Sequence, residues 1–415
     1  MGRQLLENSA TFARVIDVCE QELSLLQDGP DWSIRQELCK PAQTSRINIS
    51  SFSQPLCTAL QLGIVELFKE WGIIPKAVLG HSSGEIGAAY TAGMLSLRDA
   101  IVTAYYRGLY MSSQDNEQEL QSRGAMCAIG LGEVAAQGLL GSYSGRVSLA
   151  AVNSPSSCTL SGDKSPIDEI VEYCKEQGIF CRALRVDTAY HSHHMLPLAP
   201  LYEASLNAAG ISSAVSPSQS GCEMFSSVIQ RKLAPRDCTS AYWVQNMVST
   251  VRFTAALTEA TRCHSLGALV EIGPHPALKG PTLDTLAAIG KSEIAYLSSC
   301  FRNKPDLISL LETTASMVNV GFPMSTKAVN NVDLDDGKAV KHTTGPPLTD
   351  IPKYHWDHSA SYWAESRISK NQRFRQFPRH LLLGARSSDD IPSSPIWRNL
   401  LRRKEVDWLD AMMVC

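Results

Sequence analysis

The chain has 415 residues, 38 basic and 41 acidic, with a formal net charge of −3. At 44% hydrophobic and 19% charged it reads as an ordinary soluble globular protein, long enough for two or three domains. The near-balanced charge has no sustained basic run, which excludes nucleic acid as an expected partner, and no stretch of about 18 apolar residues offers a membrane span.

The N-terminal MGRQLLENSATFARV lacks the apolar core of a signal peptide, and Leu6 breaks the myristoylation pattern. A cytoplasmic protein is the expectation. Its twelve cysteines are scattered without a CxxC pair, so they read as reduced and mostly buried, with no metal site.

Apolar residues at helical spacing (Leu5, Leu6, Phe12, Val15, Ile16, Cys19) predict one opening helix over 4–25. A second helix is predicted over 54–72, with Pro55 near its start and Gly72 at its end. The short apolar run 73-IIPKAVLG-80 predicts a strand that leads through HSSG into a helix ending near Gly93, and another helix follows over 97–113. Residues 124–187 then read β-α-β-β-α-β, the ferredoxin-like order. Further on, 241–262 is mostly helical and 265–278 carries a buried strand closed by a Gly-Pro turn. From about 300 to 378 the pattern breaks down into an irregular linker, and 379–415 begins a new element.

Gly80-His81-Ser82-Ser83-Gly84 matches G-x-S-x-G. In that arrangement the serine sits on a strained turn between strand and helix, with glycines giving room and the helix N-terminus facing the reacting centre. The alternative is a serine, Ser82 or Ser83, that merely caps the helix. A reactive serine needs a base. Among ten histidines, the loop 188-TAYHSHHM-195 offers His191, whereas His193 and His194 read as a solvated turn or adventitious metal ligands. Arg107, in AYYRGLY, is either a surface arginine snorkelling from its helix or a bidentate clamp for a substrate carboxylate.

With these residues assembled, the sequence resembles the acyltransferase domain of type I polyketide synthases, close to malonyl-CoA:acyl-carrier-protein transacylases. QPLCTALQ, GHSSGEIGAAYTAG, AYYRG, GAM, NSPSSCTLSGD, DTAYHSHHM, YWVQNMVSTVRF and LVEIGPHPALKGP occur in family order over roughly 1–300. The cadence of TAYHSHHM and the downstream LTDIPKYHWDHSASYWAESRISK resemble the fungal, iterative, highly reducing synthases.

The resemblance implies an α/β-hydrolase-like parallel-sheet domain over 1–123 and 188–298. It also implies an inserted ferredoxin-like subdomain over 124–187, a linker over 299–378, and the start of a dehydratase domain over 379–415. Ser82 would be the acylated nucleophile and His191 its base, oriented by backbone carbonyls, so that Asp187 is not recruited as a triad member. Arg107 would hold the malonyl carboxylate, and the Ser83 N–H would supply half of an oxyanion hole. His81 and Asn153 would belong to the substrate site. Tyr190, just before the base, would crowd an α-methyl group and favour malonyl. No cofactor is implied; the substrate is malonyl-CoA, and the acceptor is the phosphopantetheine thiol of an acyl carrier protein. Ketosynthase and dehydratase domains are the implied neighbours.

Two departures qualify the resemblance. Family members carry a strand and a Gly-Gln-Gly turn just upstream of a segment like MGRQLL, so an excised fragment lacking a core strand is expected. The dehydratase-like end reads DWLDAMMVC, without that family's catalytic histidine. Two other readings stay open: a serine esterase or thioesterase of α/β-hydrolase type, and a non-catalytic remnant.

Overall fold

The computed structural model describes the chain apart from residues 113–123, 185, 187, 212–220, 330, 336–339, 345–348, 353–354, 361–362, 407 and 409–415. Asp187 and the closing DAMMVC therefore lie outside the described residues. Two units are present, Met1–Gly345 and Pro346–Cys415.

The first unit opens with two helices, α1 (Arg3–Asn8) and α2 (Ala10–Ser24), where the periodicity predicted one. Ser9 breaks them: its backbone is extended and its hydroxyl accepts the Phe12 N–H at 3.2 Å, an N-cap that hydrophobic spacing cannot reveal. After α3 (Ile34–Cys39), α4 runs from Ser50 to Glu70, so Pro55 lies inside the helix rather than at its start. α2 and α4 pack closely because Gly63 has no side chain; a Cβ there would lie 2.5 Å from the Phe12 ring. Leu5, Phe12, Ile16, Leu56, Leu60 and Ile101 belong to the resulting core.

Strand β1 (Ala77–Leu79) leads into α5 (Gly84–Thr91), and α6 (Leu97–Ser112) follows. Residues 124–183 then run β2 (Gly124–Ile129), α7 (Glu133–Leu140), β3 (Val147–Ser154), β4 (Ser157–Asp163), α8 (Lys164–Glu176) and β5 (Cys181–Ala183). A 3-10 segment, His193–Leu198, precedes α9 (Ala199–Ala208). The chain continues through β6 (Glu223–Phe225), α10 (Ser240–Val248), β7 (Val251–Arg252), α11 (Phe253–Cys263), β8 (Ala268–Glu271), α12 (Lys279–Ala288), β9 (Ala295–Ser298) and α13 (Asp306–Asn319).

The largest sheet has the order β5-β2-β4-β3-β7. Its first four strands pair antiparallel, and β7 joins β3 in parallel, so the sheet extends beyond the 124–187 segment. β1–β6 and β8–β9 form two separate parallel pairs rather than one continuous sheet, and Asn331–Asp335 pairs antiparallel with Val340–Thr344. All residues of β1 and β8 are half-buried, not buried as the apolar run at 265–278 suggests.

Two further expectations change. The tract 241–262 is two helices separated by β7, and the stretch read as irregular from 300 contains the regular helix α13, with Leu310 and Met317 in the core. None of the eleven described cysteines is in a disulfide, and no helix of the described residues is long and apolar enough to cross a membrane. The second unit contains a helix, Arg367–Arg373, and a short antiparallel pair, Ala385–Arg386 with Trp397–Arg398.

Candidate active site

Between β1 and α5 the chain turns sharply at Ser82, whose φ of 54° puts a non-glycine residue in the left-handed region. Such a conformation persists only where the surroundings enforce it. Gly80 is one enforcer, since a Cβ there would lie 2.2 Å from the Glu85 nitrogen. Gly84, the second glycine of the pattern, meets nothing within 4 Å, so packing demands a glycine at only one of the two positions.

Ser82 Oγ lies 2.6 Å from His191 Nε2. His191 is itself at φ 59° and buried, and its Nδ1–H donates to the Ser249 carbonyl at 2.9 Å. That bond fixes the tautomer with a free lone pair at Nε2, as proton abstraction from serine requires. The Ser249 oxygen is available because α10 ends at Val248; a continuous helix through 241–262 would have used it.

Burial, then the positive charge of Arg107, then His81 push the His191 imidazole down to about 3, so it is neutral near pH 7. Burial also lowers His81. His81 faces the Asn153 carbonyl oxygen at 2.8 Å, and the Asn153 amide nitrogen donates to Thr159 Oγ1 at 2.9 Å. Both ends of the Asn153 side chain are thus engaged, and the structure brings it to His81 rather than to Ser82.

Arg107 comes from α6 and is 1% exposed, which rules out the snorkelling surface arginine. Its Nη2 donates to Ser82 Oγ at 3.1 Å and its Nη1 to Asn246 Oδ1 at 2.6 Å, while Nε has no partner. These partners are neutral. Asn246 Nδ2 donates to the Ser82 carbonyl at 3.1 Å and to Glu85 Oε2 at 2.8 Å. Glu85 is fully buried, accepts Ser227 Oγ–H at 2.9 Å and is bonded by the Tyr242 hydroxyl. Burial raises its carboxyl above the ordinary range, against the opposing donors of Tyr242, Ser227 and Asn246, and the Asn246 amide stands between it and Arg107.

Asn246, Glu85 and Ser249 are the site residues that motif reading passed over. Tyr242 and Asn246 stand four apart on α10 and reach the same carboxylate, an i, i+4 polar pair in an apolar helix that is visible in YWVQN. Ser83 follows Ser82 at the start of α5. Tyr190 is half-buried and its hydroxyl bonds Ser50 Oγ, whereas His193 and His194 turn away to Asp163.

A family model described as an acyl transferase domain matches residues 1–322. The chain is 44% identical over 417 residues to the hybrid PKS-NRPS synthetase pynA of Aspergillus niger, covering 99% of this chain and 10% of that protein. It is 41% identical over 418 residues to the highly reducing polyketide synthase FUM1 of Gibberella moniliformis, covering 99% of this chain and 15% of that one. Among solved structures, a loading acyltransferase from the avermectin modular polyketide synthase is 26% identical with a TM-score of 0.68, covering 77% of this chain and 95% of its own. The chain belongs to the acyl transferase domain family and is similar to regions of fungal polyketide and hybrid synthetases.

Proposed function

We propose that this chain loads malonyl units from malonyl-CoA onto the phosphopantetheine thiol of an acyl carrier protein, by way of an acyl-serine at Ser82. The observation that carries the reading is Arg107: a buried cation with neutral partners, beside a hydrogen-bonded serine and histidine. A buried cation with no carboxylate bonded to it is costly, and a dicarboxylic acyl group would supply that direct partner.

In this mechanism Ser82 Oγ attacks the thioester carbon while its proton passes to His191 Nε2. The oxyanion forms beside the start of α5, where the Ser83 N–H would donate one hydrogen bond. His191 then gives the proton to the departing CoA sulfur. In the second half the carrier thiol attacks the acyl-serine, losing its proton to His191, which returns it to Ser82.

Arg107 has a second effect here. Its charge depresses the basicity of His191. Burial remains the larger cause of the low value, but a malonyl carboxylate on the guanidinium would offset that charge and move His191 upward. The base would therefore strengthen when the correct substrate binds, a gain an uncharged acyl group could not give.

The ring of Tyr190 favours malonyl over methylmalonyl in this reading, and His81 lines the pocket, held by Asn153. Residues 124–187 serve as the small subdomain of the acyltransferase, set between 1–123 and 188–298 of the large one. Segments 299–378 and 379–415 correspond to the following linker and the beginning of a dehydratase region. Ketosynthase and dehydratase domains are the proposed neighbours, and no bound cofactor is invoked. Incubation with malonyl-CoA and a carrier protein tests the reading: acylated carrier is expected, and CoA release without it would indicate a hydrolase.

A further inference from the structure

His193 and His194 both aim Nε2 at one oxygen of Asp163, at 3.1 and 2.9 Å. Asp163 closes β4, and the two histidines begin the 3-10 segment just after the base. Each residue offers one ligand atom, and the three atoms lie within 4.8 Å of one another. We infer that Asp163, His193 and His194 form a binding site for a borderline divalent transition ion of the zinc class, separate from the acyl-transfer centre.

Distances favour this occupant. An ion bound at roughly 2.0–2.2 Å to two imidazole nitrogens and a carboxylate oxygen in tetrahedral array sets its ligand atoms about 3.4 Å apart. The nitrogen–oxygen separations of 2.9 and 3.1 Å need open by only a few tenths of an ångström. Two imidazoles select against magnesium and calcium, which prefer oxygen ligands.

The proton balance is simple. To bind the ion each imidazole must present an Nε2 lone pair, with its ring proton on Nδ1. At His193 this exchanges the hydrogen bond to Asp163 for a bond to the ion and displaces no partner at Nδ1, which is buried without one. Arg146 lies 3.7 Å from the other Asp163 oxygen and leaves the ligating one to the histidines. The fourth coordination position stays open to water, since the side chains of His193 and Asp163 are each 38% exposed.

Bound there, the ion would tie the C-terminal end of β4 to the segment that carries His191. Its role would be to fix the base's loop, not to react. By sequence these histidines read as a solvated turn or adventitious metal ligands; their convergence on one carboxylate favours a defined site.

The test uses the whole chain after chelator treatment, titrated with cobalt(II) and read by visible absorption, with zinc competing. One ion per chain is expected, with a nitrogen–oxygen spectrum free of thiolate charge transfer. His194→Ala and Asp163→Asn should each weaken binding at least about tenfold, the loss that even an outer partner of a ligand produces. His264→Ala, which removes a histidine paired with Glu223, should leave it unchanged. Should His194→Ala fail to fold by circular dichroism, Asp163→Asn carries the comparison. Zinc should raise the melting temperature of the parent chain but not of the variants. A thiolate band, no bound ion, or equal affinity in the parent and both variants would overturn the inference, leaving two histidines that share a carboxylate.

Discussion

Arg107 Nη2 stands 3.1 Å from Ser82 Oγ, bringing together residues 25 apart in the chain. The guanidinium is therefore positioned against the Ser82 hydroxyl before any substrate arrives. Asn246 holds it from the other side and also holds the Ser82 carbonyl, so one amide fixes both the cation and the strained turn.

Arg107→Ala should lower malonyl loading by about 10- to 100-fold, corresponding to the roughly 1.5–3 kcal/mol of a hydrogen bond to a charged group. Acetyl loading should change far less. Single-turnover acylation with both thioesters measures the ratio, and equal losses would remove the carboxylate clamp.

Asn246→Ala leaves Arg107, the Ser82 carbonyl and Glu85 each short of a partner. Folding stability should fall by roughly 1–3 kcal/mol in denaturant titration. Loading at saturating malonyl-CoA should also drop, because Arg107 is no longer held toward Ser82. A stability loss with unchanged loading would reduce Asn246 to a packing residue.

The pH dependence follows from His191. Its folded value is about 3, and an unfolded histidine titrates near 6.5. Between those values only the unfolded chain binds the proton. The contribution of this group to stability is therefore complete above about pH 6.5 and declines as pH falls toward 3. For the same reason, Ser82 labelling by an uncharged phosphonate should keep its rate well below pH 6.5. Arg107→Met removes one depressing charge and should move the acid limb upward. A limb at 6.5 in the parent chain would contradict the buried, depressed imidazole.

Gly80→Ala places a methyl group against the Glu85 backbone. Overpacking of this kind costs roughly 1–3 kcal/mol, and the turn should lose its left-handed serine. Phosphonate labelling of Ser82 should fall with it. Gly84→Ala, with open space around it, should be tolerated much better.

The site was legible where chemistry demands a local pattern. Gly80, Ser82 and the strand-turn-helix around them are contiguous, and His191 and Arg107 sit in short runs whose polarity stands out from their surroundings. The Ser249 carbonyl could not be found that way, because a backbone oxygen has no residue identity; it is exposed only by a helix break that the apolar spacing of 241–262 conceals. Glu85 stands in the first turn of α5, and its burial among Tyr242, Asn246 and Ser227 depends on contacts more than 140 residues away. Fold boundaries failed for similar reasons. Ser9 divides the first helix by a side-chain cap, and β7 joins the 124–183 sheet from outside its own segment.

The central claim is that Ser82 carries the acyl group. Incubating the chain with radiolabelled malonyl-CoA, quenching in acid and mapping the label by peptide mass spectrometry tests it directly. One malonyl group should appear on the peptide containing Ser82, be absent from Ser82→Ala and be discharged by carrier-protein thiol. An unlabelled parent chain, or label that persists in Ser82→Ala, would contradict it.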